Sequence, residues 1–132
     1  MQAAGSNALV RTVAGGGRHL EIVGDPKTCA TAISIGSPRS WRKALAALKF
    51  TNGLVLDVSD DEILEAKSII GRDGIGCEPA SATTLAGICR LRRSGEFGKD
   101  DHVVAILTGH VLKDPDIILK MQEERATAEM RA

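Results

Sequence analysis

At 132 residues the chain has the length of a single domain, and its 17 basic and 17 acidic side chains cancel. With no net field and only Trp41, Phe50 and Phe97 as aromatics, neither nucleic acid nor an anionic membrane surface is indicated as a partner. Cys29, Cys77 and Cys89 are odd in number and lack CxxC spacing, which argues against a disulfide framework or a metal site and fits a reducing cytoplasm.

Met1–Ala4 leads straight into Gly5-Ser6-Asn7, so ordered structure is expected from the first residue, without a signal peptide. No apolar run approaches the ~18 residues of a membrane span. Asn7–Arg11 has room for one helical turn. Ala14-Gly15-Gly16-Gly17-Arg18 reads as a surface loop, since it lacks the GK[ST] ending and the following helix of a phosphate loop. His19–Val23 is expected to be extended and Lys27–Ile33 a short helix. Ser37-Pro38 supplies a cap and a first-turn proline for a helix whose apolar face is Trp41, Ala44, Leu45 and Leu48, stopping at Asn52-Gly53.

Leu54–Val58 is the next expected strand. Ser59-Asp60-Asp61-Glu62 forms a capping box, which accounts for the paired carboxylates without acid–base or metal chemistry. The helix it opens turns Ile63, Ala66 and Ile70 inward and closes at Gly71–Gly74. A very short extended piece, Ile75–Cys77, leads to Glu78-Pro79 and a helix reaching about Arg93, with Ala82, Leu85, Ala86 and Cys89 as its buried stripe. Its first turns are rich in small residues, so neighbouring backbone or a flat ligand can approach closely. Arg90, Arg92 and Arg93 complement its carboxyl end, although three arginines are also an anion site in outline.

Val103–Leu107 is an unbroken apolar run, the pattern of a strand covered on both faces in a parallel sheet. It ends at Thr108-Gly109, a hydroxyl and a turn-permitting glycine, where open α/β sheets place ligands. Asp114 and Pro115 then open a last helix carrying Ile117, Ile118 and Met121, with residues 117–132 expected to fray. The alternation of strands and helices predicts one α/β domain over 1–132, a parallel sheet flanked by helices, with right-handed crossovers and two open sheet edges. With so few strands, the domain is expected to be partial.

Two strand-to-helix junctions, Cys77-Glu78-Pro79-Ala80-Ser81-Ala82 and Leu107-Thr108-Gly109-His110-Val111-Leu112-Lys113-Asp114-Pro115-Asp116, are expected to open on one sheet edge. Together with Gln2–Gly5, Thr31–Trp41 and Val58–Ala66, they resemble the threonine synthase family, pyridoxal-phosphate enzymes of the tryptophan-synthase-β-like fold. The resemblance covers about residues 1–116 and matches the carboxyl-terminal part of that fold. It implies a lyase converting O-phospho-L-homoserine and water to L-threonine and phosphate, a homo-oligomer when complete.

The resemblance also implies that Thr108 hydrogen-bonds the pyridine nitrogen of pyridoxal 5'-phosphate, with Glu78 and Gly109 beside the ring. Other readings stand next to these: Glu78 as a helix cap, Ser81 bonded to backbone, His110 structural. No lysine here matches the family's Schiff-base lysine, so no catalytic residue and no metal ligand is assigned. The missing amino-terminal part is the expected partner, and the chain alone is expected to be inactive. Two alternatives remain: a related dehydratase-like lyase, disfavoured because Thr108-Gly109-His110 replaces that group's serine or cysteine ending, and a non-catalytic α/β relic binding partners through its sheet edges.

Overall fold

Ser59 starts the helix on which the rest of the chain is assembled. The computed structural model describes residues 1–130. Helix α3, Asp60–Arg72, opens with the full capping box: Ser59 Oγ accepts from the Glu62 N–H at 3.2 Å, and Glu62 Oε2 accepts from the Ser59 N–H at 2.8 Å. Asp60 carries a second load, accepting from Thr28 Oγ1 at 2.6 Å and from the Cys29 N–H at 2.8 Å. The acidic run is thus spent on capping and on pinning the 28–30 loop. Ile63, Ala66 and Ile70 face inward as their spacing predicts.

Helix α4, Pro79–Ser94, packs against α3, with Pro79 in its first turn and Gly95 in the left-handed conformation at its end. Buried Ser81, Ala82, Ala86 and Gly87 make one close-packing face. The small residues serve neighbouring protein: a methyl at Gly87 would collide with the Met1 side chain. Arg90 ties the two helices to the sheet, donating to the Asp57 carbonyl at 2.6 Å and to Glu62 Oε2 at 2.7 Å. Arg92 donates to the Phe97 carbonyl. These two arginines have structural partners, which weakens the anion-site reading.

The sheet is shorter than the sequence predicts. It has two parallel strands, β1 (Gln2–Ala3) and β2 (Asp57–Val58), in the register Gln2↔Asp57 and Ala3↔Val58. Only the last two residues of the 54–58 run pair, and Leu54 is exposed. β1 is unheralded in the sequence because two residues carry no periodicity. Gln2 also caps helix α1 (Ala8–Ala14) from outside, its Oε1 accepting the Leu9 and Val10 N–H groups. The α/β class with its parallel sheet and flanking helices holds. The core is Ala3, Ala30, Val58, Ile63, Ala66, Ile70, Cys77, Ala82 and Ala86.

Several expected elements differ. Val103–Leu107 is neither a paired strand nor buried: among the described residues no strand lies beside it, and only Leu107 packs on the core. The expected parallel relation of the two junctions is also corrected, because Cys77 and His110 form an isolated antiparallel bridge. The 27–33 helix shrinks to the 3-10 turn Thr31–Ile33, since Asp60 draws Thr28 and Cys29 out of helical geometry. His19–Val23 joins no strand, although the Val23 N–H reaches the Gly36 carbonyl at 3.0 Å.

Helix α2 runs Trp41–Thr51, with Ser40 rather than Ser37 in the cap position and no side-chain cap hydrogen bond, so Ser37-Pro38 lies before the helix; Trp41, Ala44, Leu45 and Leu48 are half-buried and a left-handed Asn52 stands at its end. Gly16 and Gly17, both left-handed, turn the chain out of α1 into an exposed loop with no helix after it, as the sequence predicts. Helix α5, Asp116–Glu129, follows a 3-10 turn at Val111–Lys113. Asp114, expected to cap it, instead accepts from Thr31 Oγ1 at 2.8 Å. The fraying expected over 117–132 falls partly on residues 131–132, outside the described residues.

The Ser59 N–H, then the Ser59 hydroxyl and Arg90, hold the Glu62 carboxyl below the ordinary glutamate value of 4.5. A carboxyl with a lowered folded pKa contributes stability that is complete above its unfolded value and lost as pH falls through the folded one. Urea unfolding across acid pH should therefore show stability falling below about pH 4.5, with a shallower fall in Glu62→Gln. Ser59→Ala should cost about 1 kcal/mol at neutral pH in the same assay.

Candidate functional site

The two junctions meet at the amino end of α4. Gly109 is held from both sides: its N–H donates to Ser81 Oγ at 2.8 Å, and its carbonyl accepts from the Glu78 N–H at 3.1 Å. Ser81 Oγ also stands 3.4 Å from the Gly109 carbonyl oxygen and 3.4 Å from Thr108 Oγ1. Ser81 is buried while Thr108 is exposed. The clamp fixes the backbone at Gly109, and Thr108, an exposed residue, keeps its hydroxyl within 3.4 Å of the buried Ser81 hydroxyl.

Glu78 occupies the cap position of α4 but makes no side-chain cap hydrogen bond. Its side chain, only 5 % exposed, lies across Gly109, and Lys113 Nζ approaches Glu78 Oε1 at 3.7 Å. Gly109 is required here for space: a methyl at that position would strike the Glu78 carboxylate. The helix-cap reading of Glu78 is replaced by a buried carboxylate paired with one lysine.

Thr108, Gly109 and Glu78, the residues singled out in the sequence, are thus brought together. Ser81 bonds backbone. His110 is structural, its Nδ1 accepting from the Leu112 N–H at 3.2 Å to cap the 3-10 turn. Lys113 is the residue sequence reasoning missed at the site. Its signal was its place in the 108–116 motif, where one tight turn carries it back over Glu78.

The donor set fits the pyridine end of a pyridoxal cofactor: a neutral hydroxyl on an exposed residue, with a carboxylate nearby. The lysine brought to this site, Lys113, is paired with Glu78. Cys29 is no substitute nucleophile; burial and the neighbouring Asp60 push its thiol up to about 12. Among the described residues no cluster of His, Cys, Asp and Glu could hold a metal ion, and no helix is long and apolar enough to cross a membrane.

Comparison with known proteins agrees with this geometry. The family model described as pyridoxal-phosphate dependent enzyme matches residues 1–109. A threonine synthase from Methanosarcina acetivorans is 42 % identical over 125 residues, 94 % of this chain and 31 % of the relative. The threonine synthase of Methanocaldococcus jannaschii is 39 % identical over the same shares. That of Mycobacterium tuberculosis is 45 % identical over 101 residues, 76 % of this chain and 28 % of the relative. The chain thus spans about a third of the length of these curated relatives.

Gly109→Ala should destabilise the chain by about 1–3 kcal/mol through overpacking against Glu78. Adding Glu78→Ala should recover most of that loss. Denaturant unfolding of the two single variants and the double variant checks this, and additive effects would refute the contact.

Proposed function

The chain belongs to the pyridoxal-phosphate dependent enzyme family, and on that premise we propose that it is the carboxyl-terminal part of a threonine synthase, converting O-phospho-L-homoserine and water to L-threonine and phosphate. The observation that carries the reading is the clamped Gly109, which holds the neighbouring Thr108 hydroxyl where the two junctions meet. The relatives named threonine synthase supply the reaction class.

Bound here, pyridoxal 5'-phosphate would supply an electron sink for carbanion chemistry on an amino-acid substrate. Thr108 would donate its hydroxyl proton to the pyridine nitrogen. A neutral donor leaves that nitrogen largely unprotonated, where a carboxylate partner would hold it as a pyridinium. Gly109 leaves room for the Glu78 carboxylate to lie beside the site. Ser81 holds the Gly109 backbone in place, and Lys113 keeps the Glu78 carboxylate engaged beside it.

The Schiff-base lysine and the substrate-phosphate contacts would come from an amino-terminal segment of the same family, the proposed partner. Residues 1–132 form one partial α/β domain in this reading, with helix α5, Asp116–Glu129, as its last described helix. The complete enzyme is a carbon–oxygen lyase acting on a phosphate ester, homo-oligomeric, in the reducing cytoplasm that three free cysteines fit.

The chain alone should release no phosphate from O-phosphohomoserine. Joined to the missing segment, it should bind pyridoxal phosphate with a visible absorbance band and produce threonine. In that assembly Thr108→Val should lower turnover by roughly 100-fold. Unchanged kinetics would remove Thr108 from the site, and an inactive assembly would reject the reading.

A further inference from the structure

The buried Glu78 carboxylate is balanced from one side. It makes no cap hydrogen bond, and among the described residues its ionic partner is Lys113, whose Nζ stands 3.7 Å from Oε1. The pair is lopsided: the glutamate side chain is 5 % exposed and the lysine side chain 61 %. Holding a long, solvated side chain over one acid costs conformational freedom, so the pair depends on where the backbone sets Lys113.

That backbone is tied at both ends of the Val111–Lys113 turn. At its start the Val111 N–H donates to the Gly76 carbonyl at 3.3 Å, and His110 Nδ1 accepts from the Leu112 N–H. At its end the Thr31 hydroxyl donates to Asp114 Oδ2 at 2.8 Å, across 83 residues of sequence. Thr31 is itself set by α3. Asp60 holds the Thr28 hydroxyl and the Cys29 N–H, and the Ala30 N–H donates to Thr28 Oγ1 at 3.1 Å. The same contact occupies one oxygen of Asp114, the carboxylate next to Lys113 in sequence.

Glu78 lies over Gly109, the residue after Thr108. A carboxylate so close is a rival to the Thr108 hydroxyl for the nitrogen of a bound pyridine ring. The two partners differ in effect: a hydroxyl leaves the nitrogen neutral, whereas a carboxylate favours its protonated form. Removing the cation from a buried ion pair leaves a charge that must find another positive group. A protonated ring nitrogen would be such a group. We propose that Lys113, set in place through the Thr31–Asp114 contact, is a positioning residue that holds the Glu78 carboxylate over Gly109 and so leaves the ring nitrogen neutral and paired with Thr108. This inference rests on the cofactor reading above and adds what decides the protonation of that nitrogen, and with it the strength of the electron sink. Lys113 acts through Glu78 and need not touch the ring.

The test uses the full chain joined to the part of the Methanosarcina acetivorans relative outside its matched region, loaded with pyridoxal phosphate isotopically labelled at its ring nitrogen. The nitrogen resonance is read against the free cofactor in acid, where that nitrogen is protonated, and in alkali, where it is not. Wild type should lie near the alkaline value. Lys113→Met should move the resonance most of the way to the acid value, and Lys113→Met with Glu78→Gln should return it. Lys113→Arg, which keeps the charge, should stay near wild type. Thr31→Val, which leaves both members of the pair intact, should shift it part of the way. In the free chain without cofactor, Lys113→Met should lower the urea midpoint of unfolding, and most of that loss should vanish in the Glu78→Gln background. Circular dichroism verifies that the variants fold, and Thr31→Val carries the test should Lys113→Met not fold.

A resonance unmoved in Lys113→Met or in Thr31→Val would overturn the proposal. So would an equal shift in Lys113→Arg, a double variant that stays at the acid value, a wild-type nitrogen already protonated, or additive urea effects at Lys113 and Glu78. A lysine with a structural role alone would change stability without moving the nitrogen resonance. The functional reading fails separately: a wild-type assembly that takes up no pyridoxal phosphate rejects that reading, while the free-chain coupling of Lys113 to Glu78 is decided without the cofactor.

Discussion

The close face of α4 is the constraint on which the rest depends. Ser81, Ala82, Ala86 and Gly87 are small and buried, α4 packs against α3, and a methyl at Gly87 would strike the Met1 side chain. Because α4 is seated deeply, its amino end is fixed in space. The Ser81 hydroxyl and the Glu78 N–H are then already aimed when the chain returns 28 residues after Ser81 to present Gly109. The site is therefore a consequence of helix packing rather than of a loop that must order itself.

The same packing explains the distribution of charge. Asp57, Asp60 and Glu62 form a dense acidic edge, yet each has an internal partner: Asn7 Nδ2 for Asp57, Thr28 and Cys29 for Asp60, and Ser59 with Arg90 for Glu62. None is left as a free acid or base. Glu78 differs, being buried with one cation and no capping bond.

Much of this was legible in the residues. The Ser59–Glu62 box, the inward face of α3, the start and end of α4 and the half-buried face of α2 follow from capping chemistry and a 3.6-residue period, both local signals. What failed depended on distant partners. A five-residue apolar run reads as a buried strand, but burial needs neighbours, and Val103–Leu107 has none among the described residues. The Lys27–Ile33 turn was lost to a carboxylate from a different helix. β1 was invisible because a two-residue strand leaves no pattern. At the site, Thr108, Gly109 and Glu78 stood out through their junction motifs. Lys113 did not, because its pairing with Glu78 needs the turn geometry and not the spacing alone.

The central claim is that α4 clamps the Gly109 peptide in the chain as it stands, so that Thr108 is oriented before any ligand arrives. Amide hydrogen exchange of the free chain, read residue by residue at Gly109, tests this most directly. The account predicts a Gly109 amide protected to the level of the α4 interior and exposed to exchange in Ser81→Ala. A Gly109 amide exchanging at the rate of an unstructured peptide, or one unaffected by Ser81→Ala, would contradict it.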